Sequence, residues 1–253
     1  MTGARSLLVV CMLVAALCAD IALAGGSPAA SGIPRPVMDY AHLLEQVNHS
    51  RSQAPIESLY ALGLRAAESL QRSTGDAASP LELMDDSTLT EAKRLMGGFG
   101  LFRGGGMASA SRQIPFFLAL ARSHGDSADV AFFRAMTATR DSSDLPIYVQ
   151  QQTDEAGCTR FGSGTLVASY DVWRSFVSRH NDRYTGWVRD ELSQLENELT
   201  ASTCACGDRD SMLRELRLFL KRFPGSELAP RVRARIGEVE AGTAGMRYHC
   251  IGG

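Results

Sequence analysis

The sequence predicts an all-α fold of antiparallel helical hairpins, stapled by disulfides. Three observations carry this expectation. Apolar residues recur at i, i+3 or i+4, and i+7 along most of the chain, the spacing of one face of a helix. Alternating β-branched runs bounded by turn residues do not occur. Four cysteines lie beyond the first 24 residues, an even set suited to two crosslinks.

The chain has 253 residues, 45% of them hydrophobic and 21% charged, with net charge −2. This average composition excludes wholesale disorder and a multi-span membrane protein. The charge is too small to point to nucleic acid. The first 24 residues have the layout of a secretory signal. Arg5 supplies the positive start, and 7–19 is an apolar run, too short for a bilayer, which needs roughly 20 residues. Ala22-Leu23-Ala24 offers small residues where a signal peptidase reads, so cleavage is expected after Ala24. Asp20 argues against a retained anchor helix, and bulky Leu17 against a lipidated Cys18. No later apolar run is long enough to span, so no transmembrane segment is expected after cleavage. Arginine outnumbers lysine 24 to 2, among abundant Ala and Gly. That bias points to a GC-rich genome, hence to a bacterial source and a periplasmic or secreted address. Asn48-His49-Ser50 is a glycosylation sequon only if the source is eukaryotic.

Residues 25–36 are small, polar and proline-containing, and read as a disordered lead. An N-terminal helical part follows over 37–96. Val37, Tyr40, Leu44 and Val47 predict one helix, and Ile56, Leu59, Tyr60, Gly63, Ala67 and Leu70 a second, ended by Gly75. A third is predicted from about Leu89 to Met96, with Thr88 and Glu91 as a capping box. Six glycines in 97–106 cost too much backbone entropy for a helix, so 97–113 reads as a hinge or loop. A C-terminal helical domain is expected over 114–253. It opens at Ile114-Pro115 and turns at His124-Gly125-Asp126, where Asp126 or Ser127 caps the next helix. Residues 144–149 suit a loop or short strand. Four more helices are predicted at about Ser163–His180, Asp182–Leu199, Arg209–Phe223 and Glu227–Glu240.

Within the last two, Phe219, Phe223-Pro224-Gly225-Ser226 and Ala229 bracket a turn: Pro224 and Gly225 break the first helix and Ser226 caps the second. The stretch 213–236 resembles a tetratricopeptide-type helical hairpin of bacterial envelope proteins. The likeness covers about 30 residues, without a second copy at the repeat period of 34. It implies a protein-binding scaffold, repeat-like at the C-terminus.

A Cys204–Cys206 bond would close a very tight ring, so each is expected to reach a distant partner, Cys158 or Cys250. Loops of roughly 45 residues would each stabilise by about 3–4 kcal/mol. The alternative is metal or thiol handling through Cys204 and Cys206, with Cys158 and His249 completing a zinc or copper(I) set. A second alternative is a hydrolase using His124 or His180 beside Asp126 or Asp182. Ser163, Asp171 and His180 have hydrolase order, yet Gly162-Ser163-Gly164 lacks the full nucleophile motif. Glu191, Glu196 and Glu198 read as a solvated helix face. Neither a cofactor nor a catalytic set is expected. The leading expectation is a non-enzymatic adaptor that binds a protein or an envelope component. Its candidate contacts are Phe99, Leu101, Phe102 and Met107 in and beside the glycine run, and Arg214, Arg217, Lys221, Arg231 and Arg235 near the C-terminus. Oligomeric state and partner identity are open at this point.

Overall fold

The computed structural model describes residues 32–50, 55–73, 78–104, 107–151 and 157–250. The signal 1–24, most of the lead 25–36 and the helix stop at Gly75 lie outside them. The described chain is mostly helical. In order it runs α1 (Arg35–His49), α2 (Ile56–Gln71), α3 (Pro80–Leu83), α4 (Asp86–Leu95), β1 (Phe99–Gly104), β2 (Met107–Arg112), α5 (Ile114–His124), α6 (Ser127–Thr139), β3 (Val149–Gln151), β4 (Gly157–Thr159), α7 (Thr165–Arg179), α8 (Thr185–Ala201), α9 (Arg209–Arg222) and α10 (Ala229–Ala241). Successive helices α1 and α2, α5 and α6, α7 and α8, and α9 and α10 pack on each other. No described helix is long and apolar enough to cross a membrane.

Helix starts follow local chemistry. Asp126 accepts from the Ala128 and Asp129 N–H groups, while the Asp129 carboxylate returns to the Asp126 N–H at 2.9 Å, a full capping box. The box expected at Thr88 and Glu91 does not form. The helix starts earlier, because Asp85 accepts from the Thr88 N–H at 2.7 Å, and Glu91 pairs with Arg94 instead. A box not foreseen, Ser79 with Glu82, opens α3.

The glycine run is not a hinge. β1 and β2 pair antiparallel, with Phe99 opposite Arg112, Leu101 opposite Ala110 and Gly104 opposite Met107. Period 2 puts Phe99, Leu101 and Arg103 on the inner face, and Gly100, Phe102 and Gly104 on the outer one. Phe99 lies edge-on to Tyr40 at 5.6 Å and to Phe117 at 5.4 Å, so the hairpin wedges between α1 and α5. Gly63 in α2 makes room for it: a Cβ there would lie 2.6 Å from Phe99 Cε2. Tyr60 meets Phe117, Phe133 and Trp187 at 5.0, 5.2 and 5.5 Å, tying α2 to α5, α6 and α8. The parts before and after the glycines therefore share one core rather than dividing at 97–113.

Near the C-terminus four short segments lie side by side. β3 pairs with β4. Thr159 of β4 bridges in parallel to Ala205, and Cys204 bridges in parallel to Arg247. Cys158 bonds to Cys206 and Cys204 to Cys250, with Cα–Cα distances of 5.0 and 6.0 Å. The middle segment 204–206 is thus crosslinked to both neighbours, while the buried Ala205 between its cysteines faces the core.

Candidate functional site

Several groups of polar residues were candidates for chemistry, and each has a geometry that can be read directly. The start of α7 is built by a glutamate from another helix. Glu215 of α9 is buried and accepts from the Gly162, Gly164 and Val167 N–H groups at 2.9, 2.7 and 3.1 Å. These donors lie at the open N-terminal end of a helix, where a carboxylate meets both unsatisfied N–H groups and the positive end of the dipole. Gly162 and Gly164 hold φ of +84° and +78°, the left-handed values that let the chain fold around the carboxylate. The Gly-Ser-Gly element is therefore a structural elbow. Ser163 bonds to the Arg160 carbonyl and Thr165, Asp171 pairs with Arg222 at 2.9 Å, and His180 packs on Phe176 at the far end of α7. The three do not converge.

Arg183, just before α8, gathers three carboxylates. Its guanidinium donates to Glu57 of α2 at 2.9 Å, to Asp126, and to Asp129 of α6 at 2.8 Å. Buried Tyr184 donates its hydroxyl to Asp129 and its N–H to Glu57, both at 2.7 Å, and stacks on Phe132 at 3.7 Å. Tyr184 adopts φ +53°, which delays α8 to Thr185 rather than Asp182. Burial holds the Asp129 carboxyl above its ordinary value. Asp126 lies below its own: burial opposes this, but the Asp129 N–H and the Arg183 guanidinium outweigh it. Each of the three guanidinium nitrogens donates to a different carboxylate, so this is a clamp between α2, α6 and α8.

A second network joins β2, the 140–146 turn and α8. Arg112 pairs with Asp144 and lies 5.8 Å over Trp187. Arg140 donates to the Asp144 carbonyl at 2.7 Å and pairs with Glu191. Glu191 is buried, and Glu198 accepts from Thr159, so the expected solvated face of α8 is partly interior. Burial, with the charges of Glu191 and Glu198, pushes the Tyr148 phenol up.

The histidines show no such assembly. His180 lines an open groove of about 340 Å³ between α7 and α8, and His124 ends α5. Neither imidazole has a carboxylate hydrogen bond among the described residues. The metal alternative lacks free thiolates: Cys158, Cys204 and Cys206 are all bonded in disulfides, and among the described residues no three His, Cys, Asp or Glu side chains gather at His249 or elsewhere.

The candidate contact residues separate into two groups. Phe99 and Leu101 are buried, because the strand's period turns them inward. Arg235 is buried as well and donates to the Ser202 and Ala244 carbonyls, pinning the tail to α10. Arg231 donates to Thr200 beside a cleft of about 470 Å³. Arg214, Arg217 and Lys221 stay exposed along α9. Phe102 is 54% exposed, and Met107, diagonal to it across the paired strands, is 58% exposed. Leu83, unforeseen, is 72% exposed. It adjoins Met84, whose carbonyl receives Arg103 of β1, while the same guanidinium holds Asp86 at 2.5 Å. Phe102 and Met107 lie diagonally on the outer face of the hairpin, the face opposite Arg103. Glu82 and Asp85, at the starts of α3 and α4, are both held below the usual carboxylate range by backbone N–H groups they cap.

Among the described residues, then, the polar clusters brace the fold, and Phe102 and Met107 face outward together on the hairpin. Comparison of the chain with family models, curated proteins and solved structures yields no match to any of them.

Proposed function

We propose that this protein is an exported binding module that docks another protein or an envelope component through Phe102 and Met107 on the outer face of the β1–β2 hairpin. One observation carries the reading: two of the five large apolar side chains left exposed among the described residues lie diagonally across the paired strands on this one face. Apolar side chains scattered singly need no explanation, whereas a cluster with a polar border is the usual anatomy of a contact patch. The signal-like leader and the paired cysteines support export, since disulfides persist in oxidising compartments. On this reading the helices are antiparallel hairpins, and α9–α10 is a tetratricopeptide-type hairpin serving as scaffold.

The test is the double variant Phe102→Ser with Met107→Ser. Both side chains are exposed, so its melting temperature is expected within about 2 °C of the parent. Complexes isolated by crosslinking from the producing cells are expected to fall at least about tenfold, the effect of losing an apolar anchor pair. Undiminished complexes from a folded variant would refute the assignment.

A further inference from the structure

β2 leaves one edge of its backbone unpaired. Gln113 donates its N–H to the Gly98 carbonyl at 2.9 Å, which fixes the pairs of the hairpin that exchange hydrogen bonds. They are Gly100 with Ser111, Phe102 with Ser109, and Gly104 with Met107. The alternate residues Ala108, Ala110 and Arg112 therefore turn their backbone N–H and C=O away from β1. None of these groups has a hydrogen-bond partner among the described residues. The edge of β1 differs, since the Met96 carbonyl takes the Phe99 N–H at 2.9 Å. A row of open donors and acceptors is a template for another strand. Sheets usually guard it with a lysine, a proline or a bulge. β2 has none of these: its register is unbroken, its middle reads Ala108-Ser109-Ala110-Ser111, and its one charge, Arg112, stands at the end. Beside it lies a cleft of about 510 Å³, lined by Leu64, Glu68 and Arg72 of α2 and by Ala110, Arg112 and Asp144. Arg72 pairs with Glu68 there, and Arg112 with Asp144.

We infer that two copies of this chain join edge to edge through β2, antiparallel about a two-fold axis at Ala110, into one four-stranded sheet. The free groups are placed symmetrically about Ala110, so the edge is its own complement. Ala110 faces its counterpart and Ala108 faces Arg112 of the other copy, each pair exchanging both backbone bonds. The small side chains of 108–111 let the two backbones approach. Each copy brings acids and bases in equal number to the cleft, so no like charges are forced together. The axis is perpendicular to the sheet, and it therefore sets Phe102 and Met107 of both copies on one outer face. The pairing itself uses backbone and does not depend on what docks on that face. So short a joint buries well under about 1,000 Å², and the dimer is reversible.

Sedimentation velocity on the oxidised protein, over a concentration series, tests this. The parent is expected to pass from monomer to dimer and no further, because the two-fold contact closes. Ala110→Pro removes an N–H that β1 does not use and is expected to weaken the dimer at least about tenfold, through the pair of bonds lost at the axis. Circular dichroism checks that the variant folds. A second measurement reads the register. Ser109 and Ser111 are exposed, and in the dimer they face each other as a pair with Cα atoms about 4.5 Å apart. Ser109→Cys and Ser111→Cys chains, mixed under mild oxidation, are expected to crosslink readily, and either chain alone to do so several-fold less, its like positions being about 7–8 Å apart. A parent monomeric at every concentration overturns the inference. So does crosslinking no greater in the mixture than in either chain alone. A dimer that survives Ala110→Pro but is lost with Phe102→Ser, Met107→Ser also overturns it, and would place the second copy on the outer face instead.

Discussion

Replacing Glu215 with alanine is expected to cost about 3–5 kcal/mol of stability, more than most single changes. The side chain is buried and satisfies three backbone N–H groups at the start of α7. Without it these donors lose their acceptor, at about 1–3 kcal/mol for each one kept from water. The cavity left on α9 adds to the loss. Glu215→Gln keeps one oxygen but sets an NH₂ group against an N–H, so about half the loss is expected. Thermal melting followed by circular dichroism should show a drop of about 8–15 °C for alanine, at the 2–4 °C per kcal/mol usual for this size. A drop under about 2 °C would mean that Glu215 does not hold the elbow.

Arg183→Ala is expected to cost about 2–4 kcal/mol, below the range for a fully buried pair because the guanidinium is 28% exposed. Its removal leaves Glu57, Asp126 and Asp129 facing one another without a cation. The loss should depend on pH. Folding lowers the pKa of Asp126, so its contribution is present above its unfolded pKa and is lost as the pH falls through the folded one. Folding raises that of Asp129, which therefore favours the folded state on the acid side and loses that benefit as the pH rises through its folded pKa. In the parent the two oppose each other across the carboxylate range. In the variant nothing depresses Asp126 through a cation, and protonation relieves the repulsion. The deficit against the parent is therefore expected to shrink by about half between pH 7 and about pH 4 in urea unfolding. A deficit independent of pH would contradict the clamp.

Much of the helical framework was legible, because its apolar stripes obey one period over ten or more residues. The hairpin was hidden by glycine, which weakens strands and helices alike; yet Phe99, Leu101 and Arg103 do alternate, and a glycine pair at 105–106 is a hairpin signal. The tight ring of a Cys204–Cys206 bond removed one of three connectivities and left two, between which sequence spacing did not choose; the structure holds Cys158–Cys206 and Cys204–Cys250. The Arg183 clamp was beyond local reading, since Glu57 lies 126 residues away. Three buried charges did leave a trace. Glu191, Glu215 and Arg235 each stand three residues after one stripe residue and four before the next: Val188 and Leu195, Met212 and Phe219, Val232 and Val239. A charge at such a position lies on the buried face and calls for a partner. That Phe102 and Met107 share one face had no such signal, because it depends on the strand register, which sets Gly104 opposite Met107.

A photoreactive phenylalanine analogue at position 102, in cells that make and export the protein, tests the docking surface most directly. Discrete protein adducts are expected from position 102, lost with Met107→Ser, and absent when the analogue replaces exposed Ser178 on α7. Equal adducts from both positions, or none from 102, would contradict the account.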